Sequence, residues 1–100
     1  MRIAVSAEKG YVSLHFGSCP LFLIMDIEKG KVVKREEIKN PGDYPDDLPQ
    51  FFYDKGVDYI IAGAMGSRAR EFFEKRGIGV YLGTLGKVDE VVEKFIRERG

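Results

Sequence analysis

The second half of the chain alternates apolar runs with helical stripes, and that alternation constrains the fold more than any other feature. Val57 to Ala62 is a continuous apolar run that reads as a strand buried on both faces of a sheet. Gly63-Ala64-Met65-Gly66 leads into Ser67, a good N-cap, and Ala69, Phe72 and Phe73 give a helical stripe that stops at Gly77. Ile78 to Leu82 is another strand. A strand–helix–strand unit of this kind requires parallel neighbours joined right-handed. After Gly83-Thr84-Leu85-Gly86, Val88, Val91, Val92, Phe95 and Ile96 follow i, i+3, i+4, i+7, i+8 and predict a closing helix.

The first half has a different rhythm. Arg2 to Ser6 is a β-branched, apolar strand, and residues 7–20 form a long connection containing Gly10, Gly17 and Pro20. Leu21 to Glu28 is a second apolar run, closed by the hairpin signal Lys29-Gly30. Lys31 to Lys39 mixes Val32, Val33 and Ile38 with charges, as an exposed edge strand does. Asn40-Pro41-Gly42-Asp43-Tyr44-Pro45 is dense in turn residues and reads as a hinge or lid segment inside one domain. Asp47 is placed to cap a helix with Pro49 in its first turn; Leu48, Phe51 and Phe52 supply its apolar face and Gly56 ends it. The order βββαβαβα calls for a mixed five-stranded sheet with three helices packed on it. All 100 residues are expected to form a single α/β domain.

Composition narrows the function classes. Sixteen basic and sixteen acidic side chains are interspersed, so the positive excess or stripe of a nucleic-acid binder is missing. No apolar run approaches the roughly 20 residues of a membrane span, and Met1-Arg2-Ile3-Ala4-Val5 reads as a strand rather than a signal peptide. A single cysteine forms no internal disulfide, which suits a cytoplasmic setting. Charged residues reach 32%, and Asn40 and Gln50 are the only side-chain amides, a thermophile-like balance.

The one histidine and the one cysteine stand together in His15-Phe16-Gly17-Ser18-Cys19. Imidazole and thiolate suit soft and borderline metals, yet two donors do not close a site, and structural zinc takes four. Plainer readings stand beside the metal one. His15 can bond backbone in an irregular loop, and Cys19, ahead of Pro20 and an apolar strand, can be a small buried hydrophobe. In the turn Gly63–Ser67, glycines before a helix N-terminus admit an anion; the same glycines also serve a tight strand-to-helix turn. Neither the Rossmann spacing nor the Walker lysine is present.

If the first strand runs parallel to those at Val57 and Ile78, the His15 loop, the Gly63–Ser67 turn and the Gly83–Gly86 turn share one rim. Open α/β sheets bind ligands at that edge. A metal with an anionic shell, such as a sulfide-bridged cluster, fits a soft donor pair beside helix N-termini. Ligation by neutral imidazole and thiolate predicts weaker binding in mild acid. Catalytic readings lack parts: a Cys–His dyad needs an orienting third group and an oxyanion hole, and Ser6, Ser13, Ser18 and Ser67 sit in no nucleophile elbow. Asp26 and Asp58 fall at the wrong ends of their strands to share a divalent metal at the rim.

The motifs in order resemble a known family. They run from the N-terminal strand to His15-Phe16-Gly17-x-Cys19-Pro20, an apolar strand ending in Asp26, and Asn40-Pro41. Gly56-Val57-Asp58-Tyr59-Ile60-Ile61-Ala62-Gly63-x-x-Gly66, Arg68-Ala69, Gly77-Ile78-x-Val80-Tyr81 and Gly86-x-Val88-x-Glu90 complete the pattern. It resembles the dinitrogenase iron–molybdenum cofactor biosynthesis family, which includes NifX, NifY and the C-terminal part of NifB. The resemblance implies a ribonuclease H-like fold, with sheet order 3-2-1-4-5 and strand 2 antiparallel. It further implies a non-catalytic carrier of iron–sulfur or iron–molybdenum clusters, acting between metallocluster assembly proteins as a monomer or weak homodimer. Carried over residue by residue, the family's histidine falls on His15, Cys19 lies at a nearby variable position, and the glycine turn falls on Gly63 and Gly66.

The candidate site is therefore His15 and Cys19 as metal ligands, with Gly17, Gly63, Gly66, Ser67 and Gly86 seating the anion. A nuclease reading of the fold fails, because Met1 to Ala7 contains no acid and the fourth strand ends in Ala62-Gly63. Two other expectations are a metal-free regulatory or scaffold domain that binds assembly proteins, and an anion or nucleotide sensor built on the Gly63–Ser67 turn alone.

Overall fold

The computed structural model describes residues 1–40 and 48–99. The strands are β1 (Arg2–Glu8), β2 (Tyr11–Val12), β3 (Leu21–Glu28), β4 (Lys31–Lys39), β5 (Tyr59–Ile61) and β6 (Gly79–Tyr81). The helices are α1 (Leu48–Asp54), α2 (Ser67–Lys75) and α3 (Val88–Arg99). The hinge segment expected after Asn40 and the Asp47 cap both lie outside the described residues.

One mixed sheet carries the order β4-β3-β1-β5-β6. β3 is antiparallel to both β1 and β4, while β1, β5 and β6 run parallel. Among the described residues the sheet has six strands rather than five, because Tyr11–Val12 folds back on Ala7 and Glu8. The hairpin turn is Lys9-Gly10, both at positive φ (51° and 83°), and Lys29-Gly30 repeats it between β3 and β4 (53° and 74°). Positive φ at both central positions gives a two-residue turn whose twist matches the flanking strands. Since β3 occupies the other edge of β1 as far as Ala7, β2 lies in line with β5, beyond its carboxyl end.

Side chains alternate across β1 and split the core in two. Ile3, Val5 and Ala7 face α3, where they meet Leu23, Met25, Val88, Val92 and Phe95. Ala4 faces the other way, with Phe22, Ile60 and Ala62, onto Leu48, Phe52 and Phe73 of α1 and α2. The paired phenylalanines divide as core residues do: Phe52 and Phe73 are fully buried, and Phe51 and Phe72 pack at the margin. Gly56 and Gly77, at φ +72° and +75°, end α1 and α2. In each case the following N–H reaches back five residues, Val57 to Phe52 O (3.2 Å) and Ile78 to Phe73 O (2.9 Å), which satisfies otherwise unpaired carbonyls.

The helix starts differ from expectation in one place. Ser67 is the first residue of α2, and Gly66 occupies the N-cap at φ −64°, ψ 149° with no side-chain cap. Among the described residues no helix is long and apolar enough to cross a membrane.

Candidate functional site

β2 determines where the His15 loop goes. Leaving β2 beyond the end of β5, the chain passes directly over the β5–α2 turn. Gly63 N–H donates to Ser13 O (3.0 Å), Phe16 N–H donates to Ala64 O (3.1 Å), and His15 pairs with Ala64 in a parallel bridge. The β6–α3 turn is tied to the same place by Gly83 N–H to Gly63 O (2.8 Å) and Val12 N–H to Gly86 O (2.9 Å). Val88 N–H reaches Gly10 O (2.9 Å) and Thr84 Oγ1 donates to Ala62 O (3.4 Å). The three loops expected on one rim are thus stitched together by backbone bonds at the carboxyl ends of β1, β5 and β6.

The glycines of that rim divide into two kinds. A Cβ on Gly63 would stand 2.8 Å from Leu14 Cα and 3.0 Å from its carbonyl oxygen, so Gly63 is required for the loop to cross. Gly86, at φ +128°, holds a backbone shape that L side chains rarely adopt. Gly17 and Gly66 instead face open space, with nothing within 4 Å of where a Cβ would stand and no positive φ. These two leave backbone accessible rather than serving the packing. Exposed Ser67 begins α2 beside Gly66, and Arg68 and Lys87 follow the two turns in sequence. The open N-terminus of α2 favours an anion.

His15 and Cys19 have opposite environments. His15 is exposed on the rim; its N–H approaches Ser13 Oγ (3.4 Å), and that hydroxyl donates to His15 O (3.3 Å). Phe16 pins the loop from beneath, with its ring 5.4 to 5.8 Å from those of Phe22, Phe52 and Phe73. Cys19 is only 3% exposed within this same cluster, and its thiol donates to Phe16 O (3.3 Å). Burial pushes the thiol up to about 11. Roughly one molecule in ten thousand then carries a thiolate at neutral pH. The sequence pair therefore becomes one accessible imidazole and one core thiol in this conformation.

Among the described residues no three His, Cys, Asp or Glu side chains converge as a metal site. Asp26 is bound by Arg2 (2.7 Å to Nε), whose guanidinium holds the carboxylate below its ordinary range, and Asp58 accepts from Arg2 N–H (2.8 Å). Both acids are structural ties at the far end of the sheet. A groove of about 350 Å³ runs between β4 and α3, floored by Met25, Val92 and Ile96 beside the Arg35–Asp89 ion pair. It includes none of the candidate site residues His15, Gly17, Cys19, Gly63, Gly66, Ser67 and Gly86. The donor set at the rim suits a ligand that brings its own inorganic shell, better than a bare ion.

Sequence reasoning missed the roles of five residues. Asn40 reaches across 21 to 23 residues to bond the loop, with Nδ2 donating to Gly17 O (3.0 Å) and Cys19 O (2.7 Å). Phe16 is the loop's anchor, a role that becomes visible only once three other rings surround it. Tyr11, Leu14 and Leu85, exposed by 51%, 52% and 67%, place large apolar side chains on the rim loops. Their exposure is a tertiary fact with no local signal.

Known proteins share both the sequence pattern and the fold. Residues 1–98 match the family described as dinitrogenase iron-molybdenum cofactor. An uncharacterized protein of Methanocaldococcus jannaschii is 30% identical over 96% of this chain and 86% of its own length. The crystal structure of PH0822 superposes with a TM-score of 0.89 at 35% identity, covering 98% of this chain and 90% of that one. The NMR structure of a candidate NifB protein from Thermotoga gives 0.74 at 31% identity, covering 98% and 89%. With the match spanning nearly every residue, the chain belongs to the dinitrogenase iron-molybdenum cofactor family.

Proposed function

We propose that this chain is a non-catalytic carrier that holds an anionic iron–sulfur or iron–molybdenum cluster as cargo at the rim and passes it between assembly proteins. The observation that carries the reading is the juxtaposition of exposed His15 with the open glycine backbone at Gly17 and Gly66, in a chain of this family. His15 supplies the imidazole donor. Gly66, Ser67 and the start of α2 supply N–H groups and a favourable dipole. A sulfide-rich cargo carries its own anionic ligands, and His15 with backbone N–H contacts would hold it more loosely than the four protein ligands that fix a resident iron–sulfur cluster. Weak, open binding is what transfer requires.

Cys19 joins the ligands only where the loop opens, since its thiol is both buried and protonated as the loop stands. The strand succession β4-β3-β1-β5-β6 supports the ribonuclease H-like assignment. Tyr11, Leu14 and Leu85 give the rim an apolar border of the sort that assembly partners desolvate on docking. The same border supports the second reading, a metal-free domain that docks on assembly proteins.

Anaerobic reconstitution with iron and sulfide separates the two. The carrier takes up cluster stoichiometrically, shows visible charge-transfer absorption, and loses most of its uptake as His15→Ala while folding normally. Absence of uptake under conditions that load a known carrier would leave the metal-free reading in its place.

A further inference from the structure

We propose that Asn40 is the positioning residue of the cargo loop, latching the His15–Cys19 segment to the end of β4 and engaging its carbonyl oxygens. The geometry stands on its own; its consequence for cargo rests on the carrier reading. Asn40 follows directly on the Leu21–Lys39 pair that ends the β3–β4 ladder. Its backbone N–H donates to Pro20 O (3.0 Å), and its Nδ2 donates to both Gly17 O (3.0 Å) and Cys19 O (2.7 Å). The Cys19 thiol holds Phe16 O (3.3 Å). Four carbonyls between Phe16 and Pro20 are thereby committed to donors within the protein.

The chemistry needs an amide in particular. One –NH₂ group has two N–H donors and so reaches two carbonyls two residues apart. A carbonyl oxygen bonded to such a donor is directed at it, and its partial negative charge is withdrawn from an anion bound beside His15. Aspartate has the same shape and keeps the backbone N–H to Pro20, yet its carboxylate only accepts and would face two carbonyl oxygens with like charge. The latch also keeps Cys19 in the aromatic cluster, which separates the imidazole from the thiol.

The test compares wild type with Asn40→Asp and Asn40→Ala. Amide hydrogen exchange at Phe16 and at residue 40, whose N–H groups are bonded to Ala64 O and Pro20 O, and labelling of the Cys19 thiol by iodoacetamide, report the loop; exchange at Val92 and Phe95 reports the core. Removing two hydrogen bonds is expected to speed loop exchange and labelling by about tenfold or more, most in Asn40→Asp, with core exchange unchanged. Cluster affinity, measured after anaerobic loading, should fall in the same order. Wild-type loop rates in both variants would overturn the latch, and a loosened loop with undiminished affinity would overturn its role in holding cargo. If neither variant folds, the wild type decides: Asn40 side-chain amide protons exchanging as fast as those of a free asparagine would overturn the proposal. A wild type that takes up no cluster fails the carrier reading, while the exchange data still judge the latch.

Discussion

At the scale of single residues, the two glycines that sequence treats alike have opposite roles. Gly63→Ala drives a methyl into the Leu14 backbone, where nothing flexible can yield. It should cost about 1–3 kcal/mol, as overpacking does, read by urea unfolding. Gly66→Ser does the reverse. The N-cap is extended, has room for a Cβ and lacks a side-chain cap. The new hydroxyl should stabilise α2 by a few tenths of a kcal/mol and, by taking up an N–H group at that terminus, weaken cluster binding. A variant both more stable and tighter-binding would remove Gly66 from the site.

Cys19 carries the pH prediction. An ordinary thiol reacts faster with rising pH through a midpoint at about 8.5 and levels off by about pH 10. With its thiol pushed up to about 11 by burial, Cys19 labelling should keep rising above about pH 10, where an ordinary thiol has levelled off. A midpoint at about 8.5 would mean that the thiol sits in water. Of the two residues that sequence brings together, only His15 remains at the surface. Spacing along the chain reports proximity, but what surrounds Cys19 comes from Phe16, Phe22, Phe52 and Phe73, contributed by four separate segments.

At the scale of elements, the hairpins show how much was legible. Glu8-Lys9-Gly10 and Glu28-Lys29-Gly30 are the same three residues making the same turn, with nearly equal φ angles. The second was readable because long apolar runs flank it. The first was not, because β2 has two residues and so shows no alternation. The parallel βα units and the closing helix were readable from periodicity alone, since burial on both sheet faces imposes it. Loop docking has no such period. Phe16 is the element-level anchor, and Phe16→Ala should cost about 3–5 kcal/mol and release the loop. Chemical denaturation combined with exchange at residues 14–18 checks both parts. A cost under about 1 kcal/mol would contradict the aromatic cluster as the loop's support.

For the whole molecule, one sheet separates two tasks. Its one end is closed by Arg2 bound to Asp26 and Asp58, and its other end gathers three loops into a rim. The rim was legible in the sequence as a consequence of parallel strands ending together. Its apolar border and the Asn40 latch were not, because both depend on contacts between distant segments. The carrier account requires the cargo to sit at that rim and nowhere else. The measurement that tests it most directly is paramagnetic broadening of backbone amide signals in cluster-loaded protein. The account predicts broadening centred on His15, Gly17, Ala64, Gly66, Ser67 and Leu85, with sharp signals at Lys29, Gly30, Asp58 and Gly79. Broadening centred on the β4–α3 groove, or spread evenly over the surface, would contradict it.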